Sequence, residues 1–217
     1  MHVLFDVNGT LLDPGALVAD WPGVSRDAGL RVLQDTVAQS MVDTMTGEFR
    51  PFPEYLRAAL TARATLLGLG EDAVAAAMAV AAAMPPYPDA AAALDRLRAA
   101  GATVTAVTNS AADAARSALD AAGLIGRFDG VLGSDGVGAY KPDPRVYRRA
   151  LSELGAEAAA TWFVAGHWWD VAGAKRAGMR TAWVARDERV LLGSVPEPDV
   201  RAPDLAGAAA AIVADRA

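Results

Sequence analysis

Residues 1–13 read MHVLFDVNGTLLD. Val3, Leu4 and Phe5 form a short apolar run with the side chains strands favour, and a turn centred on Gly9 stops it at once. Asp6 stands at the end of that strand, with Asn8 and Thr10 just beyond. Ending a buried strand in a carboxylate costs desolvation free energy, so stability alone does not account for Asp6.

The architecture is decided by the chain beyond this strand. Residues 15–85 hold helical patterns around 26–45, 53–67 and 71–84 and no convincing strand. Beyond the proline-rich hinge MPPYPD at 84–89, strand-like runs recur at 103–108 (TVTAVT), 128–133 (FDGVLG), 161–166 (TWFVAG) and 181–185 (TAWVA). Helices are expected between them over 89–100, 111–122, 144–154 and 170–177, each closed by a glycine, at 101, 123, 155 or 178. Strands alternating with helices of this length indicate a parallel sheet covered on both faces. The expected fold is α/β: a Rossmann-like doubly wound parallel sheet core, 1–14 and 86–217, with an inserted all-helical cap domain, 15–85. The Ala-rich segments 75–83, 89–93 and 206–211 read as close-packed helices, and no internal repeat is evident.

Composition narrows the functional classes. The 217 residues are 53% hydrophobic and 21% charged, an ordinary globular balance. A net charge of −6 argues against a nucleic-acid partner, whose phosphates call for a basic surface. Without cysteine there is neither disulfide nor thiolate chemistry. No apolar run approaches the roughly 20 residues of a membrane span, and the N-terminus lacks a basic region with a cleavage site. A soluble cytoplasmic protein is expected.

In a parallel sheet, ligands bind in the crevice beyond the carboxyl ends of the strands. The polar residues at those ends are Asp6, Asn8 and Thr10, then Thr108, Asn109 and Ser110, then Lys141 with Tyr147 about one turn into the helix that follows, and finally His167 and Asp170. Each has an ordinary reading alone. Asp6 can serve only its turn, Asn109 and Asp170 can cap helices, Lys141 can be a solvated loop lysine, and Tyr147 and His167 can be packing residues. Their conjunction is what structure alone does not explain: two carboxylates, a lysine, hydroxyls and an amide meet at one sheet edge.

The stretches FDVNGTLLD (5–13), VTNS (107–110), KPDPRVY (141–147) and GHWWDVAGAKRAGMRTAWV (166–184) resemble, in order, the four motifs of the haloacid dehalogenase superfamily. The resemblance covers nearly the whole chain and is strongest to the L-2-haloacid dehalogenase branch. Phosphatases of that superfamily carry a second aspartate where this chain has Asn8, and an acidic residue where it has His167. Chemistry agrees. An alkoxide leaving group needs a general acid, whereas a halide leaves without a proton. Phosphoryl transfer also needs Mg²⁺ on several hard oxygens, which Asn8 and His167 supply poorly.

The resemblance implies a hydrolase acting on a small 2-substituted carboxylic acid, with no metal and no cofactor. Asp6 would attack carbon to form an aspartyl ester, and water activated by Asp170 would cleave it. Lys141 would keep Asp6 ionised, Thr10, Thr108 and Asn109 would orient the nucleophile and bind the substrate carboxylate, and Tyr147 would hold the charged groups. Asn8, His167 and Trp169 complete the expected substrate contacts. No nucleic-acid or membrane partner is implied, and a homodimer is an allowed assembly. The family grips its halide with an arginine of the first cap helix. Counting back from TGEFRPF (46–52) puts that position at Leu33, with Arg31 two residues away as the expected substitute and Arg26 further upstream. Ala165 and His167 stand where dehalogenases have serine and asparagine. A phosphatase of small phosphoesters, or a member that has lost catalysis and serves as a binding protein, are the rivals.

Overall fold

A computed structural model describes residues 1–215; the last two residues of the expected core segment, 216–217, lie outside the described residues. Among the described residues the sheet has six strands: β1 (His2–Phe5), β2 (Thr103–Thr108), β3 (Gly130–Gly133), β4 (Thr161–Ala165), β5 (Arg180–Val184) and β6 (Val200–Ala202). Every neighbouring pair is parallel, in the order β3-β2-β1-β4-β5-β6. The chain steps outward from β1 to β3, then returns to the other side of β1 as β4. That reversal opens a crevice beyond the carboxyl ends of β1 and β4.

The period-two alternation of β1 splits the interior into two layers. Val3 and Phe5 join a large core with Leu94, Leu97 and Val104, while Leu4 joins Val107, Tyr147 and Phe163 on the opposite face. β1 is buried on both faces, as a central parallel strand must be. Truncating Phe5 to alanine there would cost about 3–5 kcal/mol.

Three helices come after β1: α1 (Arg26–Thr46), α2 (Phe52–Leu66) and α3 (Glu71–Ala81). They form the helical insertion that the sequence suggested. The face of α1 turned inward carries Gly29, Val32, Leu33, Thr36, Val37 and Ser40, the i, i+3, i+4 spacing of one helical stripe. Leu33, Val37, Phe52 and Tyr55 pack on Tyr140 and Trp169 of the core, which fixes the insertion over the crevice. The Tyr140 hydroxyl also donates to the Arg50 carbonyl. At the hinge, Arg26 binds Asp13 at 2.8 Å and Asp187 at 2.9 Å.

The remaining helices are α4 (Ala90–Ala99), α5 (Ala112–Ala121), α6 (Pro144–Leu154), α7 (Trp168–Arg176) and α8 (Leu205–Ala214). Most bounds fall within a residue or two of those expected. Two differences matter. Helix α7 begins at Trp168, so Asp170 is inside the first turn instead of capping it; the cap position falls to His167, in extended backbone. Strand β6 is additional to the expected strands: it is three residues long with an exposed arginine in the middle, which leaves no apolar run in the sequence. Among the described residues no helix is long and apolar enough to cross a membrane.

Candidate active site

The crevice holds a buried charge cluster. Lys141 Nζ donates to Asp6 Oδ1 at 2.7 Å, to Asp170 Oδ2 at 2.9 Å and to the Val107 carbonyl at 3.0 Å. All three side chains are almost wholly out of solvent. Thr10 Oγ1 donates to the other oxygen of Asp6 at 2.6 Å while accepting from the Gly166 amide at 2.9 Å. The Tyr147 hydroxyl donates to Asp170 Oδ1 at 2.6 Å. Tyr147 reaches that point because Gly173 opposite has no Cβ; one there would lie 2.5 Å from the ring. The small-residue run after Asp170 thereby has a packing reason.

Burial works against ionising Asp6, but the neighbouring Lys141, then His167 and the hydrogen bonds from Lys141 and Thr10, hold its carboxyl below the usual aspartate value. Burial likewise opposes the Lys141 charge, and Asp170 and Asp6 outweigh it, so its pKa is raised. For Asp170 burial dominates and, with the nearby Asp6 charge, lifts its carboxyl against the pull of Lys141 and Tyr147. Burial beside Asp170 pushes the Tyr147 phenol well up, which keeps it a donor. The cluster therefore leaves Asp6 as the ionised carboxylate that borders the cavity.

That cavity is closed down to about 10 Å³. Asp6, Asn8, Thr108, Asn109, Lys141, His167 and Trp169 all line it. Asn109 accepts from the Lys141 amide at 2.8 Å through Oδ1, which leaves its Nδ2 without a protein partner among the described residues. Thr108 accepts from the Ser110 amide, and Asn8 turns its amide towards Ser110. Thr10, Tyr147 and Asp170 stand behind the wall and reach the cavity only through Asp6 and Lys141. Through Asn8 and Phe52 the cavity adjoins a second, mainly apolar one of about 290 Å³ between α2, α3 and α5.

His167 is the unusual member. Its Nε2 lies 3.0 Å from the Asn8 carbonyl and 3.9 Å from Asp6 Oδ2, and its Nδ1 lies 3.3 Å from Glu188 Oε1. The ring stacks on Trp169, centroids 4.1 Å apart and planes within 10°. Gly9, at φ +83°, makes room for it: a Cβ there would sit 2.4 Å from Nε2. Burial favours the neutral ring, yet Glu188, Asp6 and the Asn8 carbonyl prevail and raise its pKa to about 8.

Arg31 is the expectation that the geometry does not support. It is exposed on the outer face of α1, while Leu33 is buried and lines the cavity. Two residues along a helix turn the side chain through about 200°, so the face that buries Leu33 must expose Arg31. Arg26 is engaged at the hinge instead. Sequence reasoning missed Glu188, which comes from the loop after β5 and carries no local signal, and the apolar wall of Val37 and Phe52. Among the described residues no group of three or more His, Cys, Asp or Glu side chains is placed to hold a metal ion.

The fold and site define an α/β protein with a helical cap over a lysine-bridged pair of carboxylates. Residues 1–178 match the family model for haloacid dehalogenase-like hydrolases, and the chain belongs to that family. Among curated proteins it is 33% identical to (S)-2-haloacid dehalogenase 4A of Burkholderia cepacia, over 89% of this chain and 84% of that one. A phosphoserine phosphatase of Thermus thermophilus is 40% identical over a shorter stretch, 56% of this chain and 49% of that one. Among solved structures, the L-2-haloacid dehalogenase of Xanthobacter autotrophicus with chloropropionic acid covalently bound superposes with a TM-score of 0.87, at 26% identity over 97% of both chains.

Proposed function

We propose that this hydrolase cleaves the bond between carbon and its leaving group, a halide in the simplest case, in a small 2-substituted carboxylic acid, through an ester on Asp6. The observation that carries the reading is the ionised Asp6 carboxylate at the cavity wall, held by Lys141 and Thr10 with an amide instead of an acid at position 8. A carboxylate so placed attacks an sp³ carbon directly, and halide departs without needing a proton. The Nδ2 donor of Asn109 and the Thr108 hydroxyl are placed to receive the substrate carboxylate. The apolar cavity beyond Phe52 offers room for the acid's alkyl chain. The curated relative's own substrate class, (S)-2-haloacids, agrees.

The phosphatase relative keeps a second reading in view. The Mg²⁺ that phosphoryl transfer calls for does not suit the donors here. Asp6 and Asp170 are both engaged by Lys141, and an amide and an imidazole stand where further oxygens would be needed.

The test is halide release from a panel of 2-halo acids, with the mass of the Asp6 peptide followed during turnover. Hydrolysis in ¹⁸O water should label Asp6, and Asp6→Asn should abolish turnover while leaving the fold intact. Label confined to the product would exclude the ester route. Turnover of an aryl phosphate that a chelator stops and Mg²⁺ restores would establish the phosphatase instead.

A further inference from the structure

The ester mechanism needs a base for the water that attacks Asp6, and Asp170 is badly placed for it. It has no exposed surface and no part in the cavity wall, and Lys141 holds its Oδ2 and Tyr147 its Oδ1; His167, although its two nitrogens also have partners, does line that wall. A base must lie within hydrogen-bond reach of the proton it takes, directly or through one water. Lys141 stands between Asp170 and Asp6.

We propose that His167, oriented by Glu188, is the base that hydrolyses the Asp6 ester, and that Asp170 acts only by positioning Lys141. The inference rests on the ester reading above. His167 lines the cavity with Nε2 3.9 Å from Asp6 Oδ2 and 3.0 Å from the Asn8 carbonyl, so a water that reaches the ester carbonyl meets Nε2 by taking the place of that Asn8 contact. Glu188 holds Nδ1 through Oε1, and its Oε2 accepts from the Trp168 amide at 2.8 Å, so the carboxylate is itself fixed. Trp169 sets the ring plane and Gly9 leaves the space. A carboxylate that orients an imidazole, which in turn faces the reacting atom, is the general arrangement for activating a proton donor.

The charges supply the timing. In the free enzyme the ring sits between two carboxylates, Asp6 and Glu188, and is an imidazolium at neutral pH. Lys141 lies beyond Asp6, and α1 contributes only uncharged Leu33 and Val37. Ester formation removes the Asp6 charge as halide departs, so the imidazolium loses one of its stabilising neighbours and gives up its proton to solvent more readily, which makes Nε2 available as a base. Water then attacks the carboxyl carbon of Asp6 while Nε2 takes one of its protons, and the Asn8 carbonyl accepts the other hydrogen. The acyl–oxygen bond breaks, and the departing alkoxide of the 2-hydroxy acid takes the proton from Nε2. The carboxylic proton left on Asp6 passes to His167, which restores the starting pair.

The experiment is rapid mixing of L-2-chloropropionate with the wild-type chain, His167→Ala, Glu188→Gln and Asp170→Asn, with halide release and the Asp6 peptide mass both followed. His167→Ala should release about one halide per enzyme, accumulate the ester, and hydrolyse it at least 100-fold slower, with partial rescue by added imidazole. Asp170→Asn should slow both steps without accumulating ester. Glu188→Gln should still form the ester. Because the Glu188 carboxylate raises the His167 pKa, its loss should move the acid limb of ester hydrolysis to lower pH, a shift that a purely structural role would not produce. Ester accumulating in Asp170→Asn but not in His167→Ala would overturn the assignment. Failure to find ¹⁸O in wild-type Asp6 would instead remove the ester reading itself.

Discussion

Replacing Lys141 by methionine keeps the apolar stem and deletes the charged amine, leaving Asp6 and Asp170 buried without their shared cation. At separations of 2.7 and 2.9 Å each attraction is worth roughly 6 kcal/mol at an effective permittivity of about 20. Desolvation of the three ions offsets most of that, but removing one partner leaves the carboxylates' share of the desolvation uncompensated. The expected loss of stability at neutral pH is about 3–5 kcal/mol. With a urea dependence of about 2 kcal/mol per molar, the midpoint should fall by roughly 1.5–2.5 M. The pH dependence has a definite sign. In the wild type the depressed Asp6 value gives stability that is present above the unfolded-state pKa and lost as pH falls through the folded one. In Lys141→Met the remaining burial raises both carboxyls above their unfolded values, so the penalty is full at about pH 8 and fades as pH drops towards about 4. Asp170→Asn in the same background should recover at least about 1.5 kcal/mol, because one of the two stranded charges is gone. Urea melts of the single and double variants at about pH 5 and pH 8 measure all of this. A single variant within about 0.5 kcal/mol of wild type at the higher pH would show that the cluster does not hold the charges described.

Arg31→Ala should leave kcat/KM and stability within experimental scatter of wild type, about 0.5 kcal/mol, since Arg31 is exposed and clear of the cavity. A tenfold loss in kcat/KM would restore it as the halide grip. Gly9→Ala must place a Cβ at φ +83°, 2.4 Å from His167 Nε2. It should cost about 1–3 kcal/mol by thermal melting and at least a tenfold drop in turnover, with larger substitutions worse. Ala114→Trp, on the wall of the 290 Å³ cavity, should depress turnover of long-chain 2-halo acids while sparing chloropropionate; equal effects on both would place the alkyl chain elsewhere.

Much of this protein was legible in the chain because its signals are local. The apolar run Val3–Phe5, the glycines that close the helices and the break in rhythm over 15–85 each arise from short-range propensity and periodicity. Asp6, Asn8, Thr108, Asn109, Lys141 and His167 were legible for a related reason, since a parallel sheet brings the ends of separate strands to one edge whatever the loops do. Direction and partnership were not. Arg31 and Leu33 are two residues apart, and only the packing of α1 decides which of them faces the cavity. Asp170 looked like a cap or a free base, but the register of α7 turns it inward, where Lys141 and Tyr147 occupy both oxygens. Glu188 meets His167 across 21 residues of chain that carry no shared pattern. Local free energies are written into neighbouring residues, so sequence determined the elements and the polar set; pairing among buried charges depends on distances of a few ångströms that only the closed tertiary structure sets.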